Sequence, residues 1–188
     1  MQLTLRQLAR ADLPQLSSWL EAPHVKRWWR EPADASSVED AYGPAIDGAD
    51  PTELLIAELD GRAIGMLQRY RLADNPHYER ALEPSGVPRP AAGLDYLIGE
   101  RALTGRGLGP LMIARASADT WTAYPEIAAI VVAVQIGNRP SWRALETAGY
   151  RRAWSGFVDS GDPSDDGPSH LYVLNRPTVS VASGRTER

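Results

Sequence analysis

The chain of 188 residues contains no cysteine, one lysine (Lys26) and three histidines. The absence of cysteine excludes a disulfide scaffold, a zinc–thiolate site and a cysteine nucleophile. The histidines, His24, His77 and His170, do not have the spacing of metal ligands. We therefore predict that the protein uses no metal.

A long hydrophobic run is also missing. No apolar stretch approaches the ~20 residues that a membrane-spanning helix needs. The N-terminal residues 1–6 alternate like a strand and lack the apolar region of a signal peptide. The net charge of −4 provides no basic surface for nucleic acid and favours a cationic ligand. These features predict a cytoplasmic protein with no membrane or nucleic-acid partner.

The residue patterns predict one mixed α/β (α+β) domain with a partly antiparallel sheet. We expect the domain over residues 1–176 and a disordered C-terminal tail over residues 177–188. Asp12 is the expected N-cap of the first helix, and Asp60-Gly61 is the expected turn of a hairpin. Residues 73–92 and 159–169 are expected to be irregular loops. Strands are predicted at 2–8, 54–59, 63–72, 93–99, 128–134, 150–158 and 170–174, and helices at 13–20, 34–41, 107–122 and 138–148.

A glycine-rich segment, Thr104-Gly105-Arg106-Gly107-Leu108-Gly109, lies between a predicted strand and a predicted helix. The free N–H groups at such a helix N-terminus form a concave array that suits a phosphate, and glycine lets the backbone approach the anion closely. The spacing matches neither the Walker pattern nor the dinucleotide fingerprint. The segment therefore predicts a site for a pyrophosphate carrier of another kind.

This segment, together with a second one about 30 residues later, resembles the GNAT superfamily of acetyl-coenzyme A-dependent N-acetyltransferases. The second segment contains Asn138 and the run Ala144–Tyr150. The resemblance spans residues 2–176 and implies a mostly antiparallel mixed sheet, splayed at its central strands and flanked by helices. It also implies acetyl-CoA as cosubstrate. The cofactor-binding residues that it implies are Leu97, Ile98, Thr104, Gly105, Arg106, Gly107, Leu108, Gly109, Asn138 and Ser141.

Within the superfamily, the chain is most similar to the aminoglycoside 6'-N-acetyltransferases. The similarity is carried by residues 24–29, 61–65 and 94–95. The chain departs from the family pattern at Thr104, where a glutamine or arginine is usual, and at Leu145, where a tyrosine often protonates the leaving thiolate. It also lacks the Asp-Pro that follows the apolar strand in those enzymes.

The chemistry of N-acetylation assigns roles to three further residues. Asp95 is the expected catalytic base and substrate-binding carboxylate, because an ammonium must first bind and then lose a proton. Trp28 and Trp29 are expected at the substrate, with one of them packed in the core and one facing the ligand. Since Leu145 cannot donate a proton, water is expected to assist the departing thiolate. His24 is expected to be structural. The aspartates of the loop 159–169 (Asp159, Asp162, Asp165 and Asp166) are expected to be solvated, and the alternative is that they line a cation-binding mouth.

The leading function is transfer of the acetyl group of acetyl-CoA to a primary amine of a small cationic acceptor, an aminoglycoside at its 6'-amine, by direct attack in a ternary complex. The alternatives are a siderophore or hydroxylysine-type N-acyltransferase, a catalytically silent acyl-CoA-binding sensor and a protein-lysine acetyltransferase. The protein is expected to be a monomer or a homodimer.

Overall fold

A computed structural model describes residues 2–177; Met1 and residues 178–188, where most of the predicted tail falls, lie outside the described residues. No helix in the described part of the chain is both long and apolar enough to cross a bilayer. The strands are β1 Leu3–Gln7, β2 Glu53–Leu59, β3 Arg62–Arg71, β4 Ala91–Ile98, β5 Ala129–Gln135, β6 Arg151–Phe157 and β7 Pro168–Asn175. The helices are α1 Leu13–Glu21, α2 Pro23–Lys26, α3 Ala35–Ile46, α4 Pro76–Ala81, α5 Leu108–Ala123 and α6 Arg139–Thr147.

The seven strands form one sheet in the order β1-β2-β3-β4-β5-β7-β6. Every neighbouring pair is antiparallel except β4 and β5, which are parallel and are paired only over Ala91–Gly93 and Ala129–Val131. Beyond Gly93 the two strands diverge, so the centre of the sheet opens into a cleft. The mixed, mostly antiparallel sheet with splayed central strands is confirmed.

Each face of the sheet is covered by helices because alternate strand residues are apolar on both faces. On one face α5 and α6 pack against residues such as Leu67, Leu94 and Ile130. On the other face α1, α2 and α3 pack against Ile56 and Met66. A third cluster joins α4 to β5 and β7. The two layers hold the central cleft open between them.

One sequence prediction about local structure is wrong, and a second is right about the position of a residue but not about its side-chain contact. The segment 73–92 contains a helix, α4, which begins after Asn75 with a proline at its first position; the Asn75 carboxamide accepts the Tyr78 N–H. Asp12 occupies the N-cap position of α1, as predicted, but its side chain accepts no N–H of that helix. Its carboxylate accepts the Arg6 guanidinium at 2.7 and 2.9 Å and the Ala9 N–H at 2.9 Å, so it ties β1 to the turn instead.

Candidate active site

Two cavities meet where β4 and β5 diverge. The first, of about 380 Å³, runs from the glycine-rich segment along β4 and α6, and we call it the glycine-loop groove. The second, of about 520 Å³, lies between the α2–α3 segment, β3, β4 and the β6–β7 loop, and we call it the acidic cavity. Five residues line both: Trp28, Trp29, Tyr96, Asn138 and Ser141. A molecule in one cavity can therefore touch a molecule in the other.

The glycine-loop groove begins at the N-terminus of α5. Gly105 and Gly107 have φ values of +73° and +78°, which are strained for any residue with a side chain, and Gly107 is the N-cap of the helix. Thr104, Gly105, Gly107 and Gly109 line the groove. Arg106 is exposed beside it, and the Leu108 side chain is buried in the core. The backbone therefore offers an anion site at the positive end of a helix dipole.

The open edge of β4 carries backbone groups that have no strand partner. The Gly99 N–H donates to the Ile64 carbonyl on β3 at 2.9 Å, and alternation along the strand turns the Leu97 backbone to β3 as well. The groups on the open edge are consequently those of Tyr96 and Ile98. Leu97, which was predicted to pair with a pantetheine arm, lines the groove without presenting its backbone there.

Two residues from the α1–α2 segment fix the end of β4. The His24 Nε2 atom lies 3.0 Å from the Ile98 carbonyl oxygen, and because a carbonyl only accepts, Nε2 carries the proton. Trp19 packs against Gly99 so closely that a methyl group at Gly99 would overlap the indole. The absence of a side chain at Gly99 therefore makes room for Trp19 of α1.

Asp95 lies on β4 at the floor of the acidic cavity. Gln68 donates to its carboxylate at 3.2 Å, and the Tyr70 hydroxyl also interacts with it. The Tyr70 ring lies across Gly93, where a methyl group would overlap it. Burial raises the pKa of Asp95 from 3.8 to about 7, and the nearby carboxylate of Asp165 adds to the rise. A carboxyl with this pKa exchanges protons readily at neutral pH.

The acidic cavity is lined by six carboxylate side chains and by no basic one, as far as the described residues show. None of the six forms an ion pair within residues 2–177. Burial raises the pKa of two further members, Glu31 and Asp165, as it does that of Asp95. The uncompensated charge suits a ligand with several positive charges. The six are Glu31, Asp50, Asp74, Asp95, Asp162 and Asp165.

The β6–β7 loop corrects another prediction. Its aspartates were expected to be solvated, and Asp159 and Asp166 are exposed and lie outside the cavity lining. Asp162 and Asp165, however, line the acidic cavity, and Asp165 is partly buried. For these two residues the structure therefore favours the alternative, a lining of a cation-binding mouth, which composition could not decide because the loop reaches the cavity only through the pairing of β6 and β7.

The two tryptophans differ in their surroundings. Trp29 packs against the core beneath α1 and α3, and its indole N–H donates to the Tyr42 hydroxyl at 3.1 Å. That hydroxyl donates to Glu31 at 2.6 Å, so Trp29 helps to orient a cavity carboxylate. The Trp28 ring reaches across to Gly137, beyond the end of β5. Trp28 therefore bridges the two sides of the cleft where the cavities meet.

A hydroxyl pair also lies at this junction. The Tyr96 hydroxyl is 2.8 Å from Ser141 Oγ and 3.3 Å from the Ser141 carbonyl oxygen, at the start of α6. The Asn138 side chain caps this helix by accepting the Ser141 N–H. Leu145, one turn further along, is fully buried in the core and presents nothing to either cavity. Burial raises the pKa of Tyr96, so its hydroxyl stays protonated.

The sequence prediction did not include Tyr96, Tyr70, Gln68 or Glu31. One signal was available for Gln68 and Tyr70 on β3. They are two residues apart, so their side chains lie on the same face of the strand, and Gln68 is directly opposite Asp95 on β4. Glu31 had no such signal. Among residues 2–177 no group of three or more histidine or acidic side chains is arranged to hold a metal ion.

An anion-binding loop and an open strand edge in one cavity, with a buried carboxylate in the adjoining one, suit an enzyme that uses an acyl-CoA thioester to acylate an amine. Residues 9–155 match the acetyltransferase (GNAT) domain family. The chain belongs to this family and is an acetyl-CoA-dependent N-acetyltransferase.

Three relatives are similar to the chain over most of its length. Aminoglycoside N(6')-acetyltransferase type 1 of Klebsiella pneumoniae is 28% identical over 179 residues, which are 93% of this chain and 83% of that protein. Lysine N-acyltransferase MbtK of Mycobacterium tuberculosis is 26% identical over 179 residues, which are 94% of this chain and 79% of that protein. The crystal structure of aminoglycoside acetyltransferase AAC(6')-Ib with coenzyme A and kanamycin superposes with a TM-score of 0.77 at 27% identity, covering 93% and 95% of the two chains.

Proposed function

We propose that the protein acetylates an aminoglycoside at its 6'-amine, with acetyl-CoA in the glycine-loop groove and the aminoglycoside in the acidic cavity. The observation that carries this proposal is the set of six carboxylates without ion pairs along one cavity. An aminoglycoside carries several ammonium groups on a polar scaffold, so it matches the sign of these charges and can meet more than one carboxylate at a time. The names of the aminoglycoside-modifying relatives support the same acceptor.

A hydroxylysine-type acceptor is the second candidate, because a lysine N-acyltransferase is among the relatives. Such an acceptor presents one side-chain ammonium, which leaves most of the six carboxylates uncompensated in a shared cavity. Like charges at close range raise the free energy of the ionised forms. The charge count therefore favours the aminoglycoside.

The reaction that we propose is a direct attack within a ternary complex, in which positioning supplies much of the rate. The backbone N–H groups of residues 105–109 bind the pyrophosphate. The backbone of Tyr96 and the Ile98 N–H, on the open edge of β4, pair with the pantetheine arm, while the Ile98 carbonyl accepts from His24. Asp95 binds the acceptor ammonium and accepts its proton, directly or through water. The neutral amine then attacks the thioester carbonyl and the C–N bond forms. The second proton on that nitrogen leaves to solvent water, and the C–S bond breaks with its electron pair going to sulfur.

The departing thiolate also needs a proton, and Leu145 cannot supply it. We propose Tyr96 for this role instead of bulk water, because its protonated hydroxyl lies at the junction of the two cavities. Ser141 holds that hydroxyl and can return a proton to it from solvent. Asp95 and Tyr96 would then act on the acceptor amine and on the sulfur, respectively.

The test is a thiol-release assay with acetyl-CoA and a panel of kanamycin, ribostamycin and a hydroxylysine-type amine. We expect turnover with the aminoglycosides and a product acetylated at the 6'-amine by mass spectrometry and NMR. Turnover with hydroxylysine alone would contradict the aminoglycoside assignment. Coenzyme A binding without turnover on any of these amines would favour the silent sensor. A cytoplasmic location and a monomeric or homodimeric state stay predictions.

A further inference from the structure

The β6–β7 loop is fastened over the acidic cavity by Arg30, which follows the tryptophan pair. The Arg30 backbone N–H donates to Ser164 Oγ at 3.0 Å. Its guanidinium donates to the Pro163 carbonyl at 3.1 Å, to the Asp166 carbonyl at 3.4 Å and to Gln135 Oε1 at 3.2 Å. One side chain thus connects the α2–α3 segment, the end of β5 and the loop.

Gln135 completes this connection from β5. Its side-chain amide donates to the Ser164 carbonyl at 2.6 Å, while its oxygen accepts from Arg30. This position lies directly after the apolar strand, where the chain lacks the Asp-Pro of the aminoglycoside enzymes that it resembles. The end of β5 therefore contributes a support for the acidic loop and no carboxylate of its own.

The choice of acceptors for the guanidinium is informative. An arginine near aspartates ordinarily binds a carboxylate, because a hydrogen bond between two charged groups is stronger than one to a neutral oxygen. Arg30 instead binds only neutral oxygens. The carboxylates of Asp162 and Asp165 consequently keep their charge available to the cavity, with Asp162 accepting the Ser164 N–H at 2.7 Å. Arg30 holds the loop without neutralising it.

We infer that Arg30 is a positioning residue for acceptor specificity. By fixing the loop, it holds Asp165 and Asp162 against the acidic cavity so that they bind an ammonium of the acceptor other than the one that Asp95 engages. The protein would thereby select acceptors with several amines over monoamines. This inference rests on the proposed function for the identity of the reacting amine.

The test compares Arg30→Ala with Arg10→Ala, a control that removes an exposed arginine bonded to Glu39 and Asp47 outside both cavities. The probes are kanamycin and the monoamine 6-amino-6-deoxyglucose. For Arg30→Ala we expect the KM and the Kd of kanamycin to rise about 3- to 5-fold, the upper end of the range for one partly exposed ion pair. The kcat, the KM of the monoamine and the KM of acetyl-CoA should stay within about 2-fold. The control should match the wild type.

A double-mutant cycle with Asp165→Asn separates positioning from loss of folding. Asp165→Asn alone should raise the kanamycin Kd by a similar factor, and the Arg30→Ala/Asp165→Asn variant should be no weaker than either single variant, because both remove the same interaction. Additive effects, an equal loss of affinity for the monoamine, or an unchanged kanamycin Kd would each overturn the inference.

The Kd comes from tryptophan fluorescence, so it is independent of turnover. Kanamycin binding without acetylation would count against the proposed function and would still decide the role of Arg30. If the wild type bound no kanamycin, both would be wrong. Acetylation with an unchanged KM in Arg30→Ala would overturn only the role of Arg30. A variant that lost kcat and thermal stability together would show a structural role and would also overturn it.

Discussion

Replacing Asp95 by asparagine should make the protein more stable at alkaline pH while it abolishes most of the activity. Burial raises the pKa of this carboxyl from 3.8 to about 7, so the fold favours the protonated form. The stability that comes from the protonated carboxyl is complete below the pKa of the unfolded state, 3.8. It is lost as the pH rises through the folded-state pKa of about 7 and is absent at higher pH. At 1.36 kcal/mol per pKa unit, the cost of the buried charge at pH 8 is at most ~4 kcal/mol.

We expect roughly half of this limit, about 2 kcal/mol, because the cavity is open to solvent and the asparagine amide binds Gln68 and Tyr70 less well. For a protein of this size that is an increase in Tm of about 4–8 °C at pH 8, with little difference at pH 4. The assay is thermal unfolding of wild type and Asp95→Asn across this pH range. Asp40→Asn, which alters an exposed carboxylate on α3 outside both cavities, is the control.

The same variant should lose about 10²–10⁴-fold in kcat/KM, the range of a missing general base, and the acidic limb of the wild-type pH–rate profile should disappear. An equal or lower Tm at pH 8 would refute the buried-charge argument. An unchanged kcat/KM with a retained fold would refute the role of Asp95 as base. The two measurements are independent, so one part of the reasoning can fail while the other stands.

Three further substitutions test other parts of the site. Gly107→Ala forces a side chain into a φ of +78° at the N-cap of α5, at a cost of about 1–2 kcal/mol, and should raise the KM of acetyl-CoA more than that of the amine, measured by steady-state kinetics. Tyr96→Phe should lower kcat about 10- to 100-fold. The control Tyr150→Phe removes a buried hydroxyl outside both cavities and should leave kcat within about 2-fold. Equal effects of the two substitutions on kcat would contradict proton donation by Tyr96. Gly99→Ala should lower Tm by overlap with Trp19, and an unchanged melting curve would contradict that packing.

The parts of the fold that the sequence predicted are those with a local cause. Gly105 and Gly107 predict a backbone with positive φ, and Asn138 predicts the start of a helix, because these conformations depend on a few neighbouring residues. Asp60-Gly61 predicts its hairpin for the same reason. Helix α4 also had local signals, the Asn75 cap and a proline at the first position, but the density of proline around it favoured a loop.

The acidic cavity could not be predicted in the same way, since its members have no common spacing. Glu31 lies between α2 and α3, Asp95 lies on β4, and Asp165 lies on a loop more than 60 residues later. Only the order of the strands brings them together. The burial that raises the pKa of each is likewise a property of the assembled layers and not of any one segment.

This arrangement also resolves a conflict in the role of Asp95. A carboxylate that binds an ammonium tightly is a poor base, because the positive charge lowers its pKa and the ion pair opposes transfer of the proton. If the other carboxylates bind the remaining ammonium groups of the acceptor, most of the binding free energy is obtained away from the reacting amine. Asp95 can then keep a pKa close to 7 and still receive a correctly placed amine. The loop that carries Asp165 would thus assist catalysis, because it would supply free energy of acceptor binding that Asp95 then need not supply.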